Sequence, residues 1–512
     1  MKFQFVLSIP FTAVVLLAQP ALQKTARPGL SPTTRALLNR ITPQDLEGDL
    51  SFLASDALAG RFTPSPGLDA AAEFIASRFR AAGLEPAGDD AYFQTAHMVD
   101  RRLPKLASDL KLQLGMQPID IPASEVQVYA STEAQNFDRL QAIVFHAPDT
   151  EALKGMDVAG KAVLCEQADF MKLPQDQMRA EYHKLVAFGH AVRSAGAVLE
   201  LIATPSSLPA PHSRLLSADQ AAKHDTPILI VSNATLLQAV KTATAAEVTV
   251  DIPAPEDKQV VGRNVVAVLR GSDPKLKDTY VLITAHYDHI GTVETAAGMT
   301  MPVKNPGPDK IYNGANDDGS GTVSVLEIAR AFAKLTPHPK RSIAFMTFFG
   351  EERGEIGSEY FADHPIWPVN KIVADLNLEQ VGRTDATDGK QVNTASLTGY
   401  DYSDITHFVE KAGALTGIKV YKNAQASDPY FTQSDNAPLA EKGIPAETLC
   451  VAFDYPDYHG LGDEWQKIDY QNMARVDRMV ALALLNMAND PQPPAWNAQN
   501  PKTAPFREAQ KH

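Results

Sequence analysis

Cysteine is almost missing from this chain: Cys165 and Cys450 are the only two in 512 residues. They lie far apart, which excludes a disulfide framework and leaves two inert buried thiols as the expectation. Clusters of basic residues are also missing. With 47 Lys and Arg against 61 Asp and Glu, the formal charge is −14. Binding to nucleic acid or to an anionic membrane needs grouped Lys and Arg to neutralise phosphate, so neither is expected. Long apolar runs are confined to Phe3–Ala18, which is broken by Ser8 and Pro10. A lone Lys2 precedes it and small and polar residues follow, the shape of a secretory signal over residues 1–21. The run is short for a membrane span, and no Cys follows it to carry a lipid. The chain is therefore expected to be exported, periplasmic or secreted, without stable membrane insertion once the signal is cleaved; an uncleaved anchor is the alternative. There is no internal repeat.

What is present reads as globular, with 44% hydrophobic and 21% charged residues and a length that favours two or three domains. Segment 68–82 places Ala71, Ile75, Phe79 and Ala82 on one helical face and stops at Gly83, a helix-ending signal. Short β-rich runs at 161–165, 197–203, 227–232 and 247–252 surround a helical pattern near 178–195. They suggest a separate small α/β unit over 125–255, inserted between an N-terminal part, 22–124, and the larger part, 256–489. In the latter, buried-strand runs at 281–285, 342–349 and 372–378 alternate with helical patterns at 321–335 and 470–488. That alternation predicts an α/β fold with a mixed, mostly parallel sheet flanked by helices. From Asp490 the chain carries Pro491, Pro493, Pro494, Pro501 and Pro505, and a disordered tail over 490–512 is expected.

Chemistry gathers at the strand ends. His286 follows the apolar run VLITA, with Asp288 two residues on; Glu351 and Glu352 follow SIAFMTFF through Gly350; Glu379 closes IVADLNL. Open α/β folds build their sites at the carboxyl ends of strands. A carboxylate closing an apolar strand is poorly solvated unless it is paired or bound to a cation. Asp317 sits in IYNGANDDGSG between these motifs, and His459 in DYPDYHGLGDEW near the end of the domain. His and carboxylate ligands, an aspartate able to bridge two ions and a free carboxylate to act as base are the parts of a two-metal hydrolase. Each motif taken singly has an ordinary reading as a loop or a solvated charged turn; the convergence of several strand ends is what points to one site.

The series AHYDHIG, GANDDGSGT, FFGEERGEIGS, LNLEQVG and DYHGLGD resembles, in order and spacing, the signature of the M28 zinc metallopeptidases. LAGRFTPSPG at 58–67 and SDNAPLAEKGIPAETL at 434–449 are similar to flanking segments of that family. DVAGKAVLC with the later SAGAVLEL resembles a protease-associated (PA) domain, inserted in a zinc-peptidase fold of the phosphorylase/hydrolase type. The resemblance implies two Zn²⁺ per chain, one held by His286, Glu379 and Asp317, the other by Asp317, Glu352 and His459. It implies Glu351 as general base, Asp288 as the residue orienting His286, and Tyr458 as a donor to the tetrahedral intermediate. It further implies a cis Asp317–Asp318 peptide and peptide substrates, with an aminopeptidase as the leading activity. Most aminopeptidases of the family carry Asp where this chain has Glu379, and Asn436 also departs from the pattern. A glutamate-carboxypeptidase-like enzyme, a one-zinc glutaminyl-cyclase-like enzyme and a non-catalytic receptor-like relative therefore stay as alternatives. Preferred side chain, native metal and oligomeric state are not legible.

Overall fold

The computed structural model describes residues 29–169, 172–173, 175–205, 213–296 and 307–511. The expected signal segment lies outside these residues. Two sheets organise the chain. The larger one runs, edge to edge, through the strands Lys419–Val420, Thr394–Leu397, Ala446–Cys450, Ile372–Glu379, Tyr280–His286, Ser342–Phe348, Glu256–Leu269, Phe93–Arg102 and Ser213–Ser217. Tyr280–His286 is flanked in parallel by Ser342–Phe348 and Ile372–Glu379, and the latter is parallel to Ala446–Cys450. These strands are buried almost end to end, and unbroken apolar runs are what a strand covered on both faces requires. Outside this centre, Glu256–Leu269, Phe93–Arg102 and Ser213–Ser217 are antiparallel. The expected mostly parallel sheet is thus mixed: its centre and the edge pair Thr394–Leu397 with Lys419–Val420 are parallel, and the rest is antiparallel, because long antiparallel strands on one side take no crossover helix.

Side chains of alternating sign along each central strand feed two cores. Val281 and Ile283 face a cluster that includes Ile75 and Phe79 of helix Pro66–Ala82, Val323 of helix Gly321–Phe332 and Val476 of helix Tyr470–Asn489. Leu282 points the other way, toward Met346, Phe361, Leu439 and Trp496. Helix Pro66–Ala82 matches the expected segment closely. Ser65 accepts a hydrogen bond from the Leu68 amide at its start, and Gly83 ends it at φ 81, a left-handed conformation that glycine adopts without a Cβ clash. Burial of Phe79 alone contributes about 1.5–3 kcal/mol.

The second sheet orders Gln117–Ile121, Leu110–Leu114, Ala245–Ile252, Gln135–Phe145, Ala162–Glu166, Leu199–Ala203, Ile228–Val231 and Val126–Ala130. It has its own core, including Leu112, Ile121, Leu164, Leu201 and Val250. This α/β unit begins at Leu110, upstream of the expected boundary at 125, because the hairpin Leu110–Ile121 pairs with Ala245–Ile252. The segment Ser213–Ser217, expected inside the unit, instead leaves it and pairs with Phe93–Arg102 of the larger sheet. Both cysteines are free and buried, and burial pushes the Cys165 thiol up to about 12. No helix among the described residues is long and apolar enough to cross a membrane.

The tail from Asp490 is a correction: it is packed, not disordered. Trp496 is 5% exposed, donates from Nε1 to the Gly443 carbonyl at 2.9 Å and stacks on Phe506 with ring centroids 5.0 Å apart. Pro501 and Pro505 stand in the first turns of short helices, where proline's missing N–H costs nothing. The prolines shape a covering strap whose apolar anchors are aromatic. Trp496→Ala should lower the stability of the folded chain by about 3–5 kcal/mol, read as a shift in the denaturant midpoint at unchanged m-value; a loss under about 1 kcal/mol would mean that the strap does not contribute to this core.

Candidate metal centre

The parallel centre of the larger sheet delivers the site. His286 is the last residue of its strand, Glu379 the last of the next, and Gly350, at φ 71, turns the chain so that Glu351 and Glu352 follow Ser342–Phe348. Asp317 lies in the irregular turn Ala315–Ser320 leading into helix Gly321–Phe332, and its peptide bond to Asp318 is cis. Gly314 opens this turn at φ 57; a Cβ there would stand 2.4 Å from the His289 ring, so only glycine fits. His459 comes from the loop beyond Ala446–Cys450, with φ 50.

These side chains converge, and the Asp317 carboxylate stands between two sets of them. Its Oδ1 is 3.4 Å from His286 Nε2, while its Oδ2 is 3.1 Å from His459 Nε2. On the first side Glu379 Oε1 is 3.7 Å from His286 Nε2. On the second, Glu352 Oε2 is 3.1 Å from His459 Nε2. Glu351 Oε2 is 3.8 Å from His286 Nε2, and the Glu351 amide donates to Asp288 Oδ1 at 3.1 Å. Asp288 Oδ1 is 3.5 Å from His286 Nδ1, at charge-pair distance but longer than a hydrogen bond. Tyr458 is 47% exposed, stacks on the His459 ring at 4.2 Å and lines the same cavity of about 150 Å³ as Asp317, Glu351, Glu379 and His459. Every expected site residue is thus in one place.

Several residues of the site carried no signal of their own in the sequence. His289 Nδ1 is 2.7 Å from Glu352 Oε1, which suits it to orient that carboxylate; by proximity alone it could also join Asp317 and Glu352 around an ion. We favour the orienting role, because Asp317 and His459 already close that side. Ser434 donates to Glu379 Oε1 at 2.5 Å, Thr63 donates to Asp288 Oδ2 at 3.0 Å, and Asp463 accepts from the Asn316 and Asp317 amides. Asp463 lies in the GLGD run after His459, and Ser434 in the SDNAPL run; the motifs were visible, but their contacts depend on tertiary placement.

The electrostatics call for positive charge. Burial pushes the Glu351 carboxyl well up, with Glu379, Glu352 and Asp435 adding to it against the pull of His286. Burial likewise lifts Glu379 to about 8 despite His286. Burial opposes charge on His286 and His459 too, yet the surrounding carboxylates outweigh it and raise both well above the ordinary imidazole range. In Glu352 the same burial is overcome by His459 and His289, which bring it down to about 2. Protons are therefore retained where cations would fit. Both ring nitrogens of His286 and Asp317 Oδ2 are buried without a hydrogen-bond partner, although buried polar groups are normally satisfied. An all-nitrogen-and-oxygen donor set, split by one two-faced carboxylate, fits a pair of divalent ions of zinc type.

Residues 264–484 match the sequence profile of Peptidase family M28. A probable leucine aminopeptidase 2 of Aspergillus oryzae is 25% identical over 273 residues, covering 49% of this chain and 50% of its own. A probable zinc metalloprotease of Pyrenophora teres f. teres is 36% identical over 247 residues, covering 45% and 49%. The chain thus spans about half the length of these curated relatives. Among solved structures, an aminopeptidase from Aneurinibacillus sp. strain AM-1 shares the fold over 90% of this chain and 97% of its own, with TM-score 0.59 and 19% identity. The profile and the relatives support a zinc-dependent metallopeptidase.

If Asp317 serves both sides, Asp317→Ala should retain less than half an equivalent of zinc after dialysis. His459→Ala should keep close to one equivalent, since the His286 side stays intact. Metal analysis of both variants checks this order, and two equivalents in Asp317→Ala would remove the bridge.

Proposed function

We propose that the protein is an exported two-zinc aminopeptidase that releases residues from the N-terminus of peptides. The reading is supported above all by the Asp317 carboxylate, whose two oxygens face different His and Glu partners. His286, Glu379 and Asp317 would hold one ion, and Asp317, Glu352 and His459 the other. Such ions supply Lewis acidity, activating water and polarising a carbonyl. Glu351, beside the cavity and outside both ligand sets, takes the proton of the attacking water and delivers it to the leaving amine. Asp288 supports both parts: it accepts from the Glu351 amide and stands beside Nδ1 of His286. Tyr458, exposed at the rim and stacked on His459, would donate its hydroxyl to the oxyanion.

Direction of cleavage follows from charge. A carboxypeptidase needs a cation to receive the terminal carboxylate, and among the described residues no Lys or Arg lines the cavity. The nearby arginines are committed elsewhere. Arg353 donates to the Thr63 and Ser213 carbonyls, and Arg383 pairs with Asp385 and Asp457. An acidic cavity instead receives a free α-amine, which answers the departure at Glu379. The unit with the second sheet, read as a protease-associated module, would limit access rather than perform chemistry. Export rests on the signal-like sequence at 1–21.

Glu351→Gln should lower kcat by about 10²–10⁴ while zinc content stays near wild type; turnover above a tenth of wild type would take Glu351 out of the role. A free peptide should be shortened from its N-terminus, with N-acetylation abolishing the reaction and C-terminal amidation leaving it nearly unchanged, as read by mass spectrometry. The reverse pattern would assign the carboxypeptidase reading.

A further inference from the structure

Beyond the metal centre the cavity has a neighbour across a thin aromatic wall. Its far side is formed by Tyr430, Phe453 and Asp454, and the same three residues bound a second chamber of about 50 Å³. The rings of Tyr430 and Phe453 are in tilted contact, with centroids 5.8 Å apart and planes at 40°. Phe453 is fixed from behind: the Gln380 amide, in the orientation that satisfies both of its ends, donates to the Ala452 and Phe453 carbonyls at 2.8 and 3.0 Å. The second chamber is polar and acidic. Asp388 and Asp454 stand at it, together with Gln391, Tyr421 and Asn423, and among the described residues no Lys or Arg lines either chamber. The Tyr421 hydroxyl donates to Gln391 Oε1 at 3.1 Å, and Gln391 Nε2 reaches Asp388 Oδ1 at 3.4 Å. Asp454 is exposed.

We propose that the two chambers together form the pocket for the side chain of the N-terminal residue, and that they select a long cationic side chain, Arg or Lys. The inference rests on the aminopeptidase reading and names its substrate class. The chemistry divides along the pocket. Near the metals the α-amine and scissile carbonyl are held. The aliphatic stem of Arg or Lys packs across the Tyr430 and Phe453 rings, where apolar contact and cation–π attraction act together. The charged head then reaches Asp388 and Asp454. A side chain of the same length without charge covers the rings but leaves the acids unanswered, and a short one does not reach them. Discrimination by a polar group built to meet a charge is larger than discrimination by one methylene.

The test uses the full zinc-loaded chain and p-nitroanilides of arginine, lysine and norleucine, the last matching the lysine stem without its amine. Arginine and lysine should exceed norleucine in kcat/KM by about tenfold or more, with the difference in KM and diminished at high salt. Asp454→Asn and Asp388→Asn, both on exposed loops, should each bring that ratio down severalfold. Phe453→Ala should raise KM for all three substrates. A norleucine rate equal to or above the basic ones, or a ratio untouched by both substitutions, overturns the proposal. Absence of turnover on every aminoacyl substrate, with two zinc ions bound, overturns the aminopeptidase reading and this inference with it.

Discussion

One buried guanidinium holds the site's loops in register. Arg61 is 1% exposed and donates to the carbonyls of Leu53, Tyr287, Asn313 and Gly314 at 2.5–2.8 Å. Tyr287 stands between His286 and Asp288, and Gly314 opens the turn that carries Asp317. A single side chain therefore fixes the backbone beside His286 at a strand end and at the start of the turn that carries Asp317. Burial draws its pKa down to about 10, while Asp288, Asp463, Asp318 and Asp317 work to keep the charge. Removing the guanidinium would orphan several carbonyls, each at about 1–3 kcal/mol. No loop interaction near the site could replace that sum. Gly60, at φ 69, makes the approach possible, since a Cβ there would stand 2.3 Å from the Gly291 carbonyl.

The second constraint is charge balance. Glu351, Glu352, Glu379, Asp317, Asp318 and Asp435 crowd one end of the sheet, where burial leaves each of them little contact with water. Part of the answer is local hydrogen bonding. Asp435 accepts from Ser358 at 2.5 Å, and Asp318 accepts from the amides of Gly321 and Gln380. The rest falls to groups with positive charge, and the imidazoles supply too little of it for so many carboxylates. The same logic explains why the strands stop where they do. His286 and Glu379 close their strands, and Glu351 and Glu352 follow Ser342–Phe348 through Gly350, so chain direction in the parallel centre places these groups on one side.

How much of this was legible in the sequence depends on the range of the interaction. Strand runs such as SIAFMTFF and the helix over Pro66–Ala82 are set by local pattern and capping, and their bounds came out within a few residues. The candidate ligands stood in a recognisable series of motifs, and the structure brings those residues together. His289 was passed over because its partner Glu352 lies across the fold. The hairpin Leu110–Ile121 was assigned to the wrong unit for the same reason, since its pairing with Ala245–Ile252 spans more than a hundred positions. The tail misled in another way: proline content argued for disorder, while Trp496 and Phe506, which decide its packing, contribute little to composition.

The second unit and the catalytic loop are also one packing problem. Arg353 directly follows Glu352, and its guanidinium donates to Thr63 O at 2.8 Å and to Ser213 O at 2.7 Å, with the Phe62 ring beneath it at 5.2 Å. Ser213 begins the segment that the second unit sends into the larger sheet, and Thr63 belongs to the same loop as Arg61. The loop bearing Glu351 is thus tied at one side chain to the entry loop and to a strand that returns from the other unit. The backbone beside Glu351 cannot shift without breaking charge-assisted bonds to both. In the role proposed for Glu351, proton transfer needs a carboxylate held at fixed distance, and the strand Ser213–Ser217 would help to hold it although it carries no residue of the site.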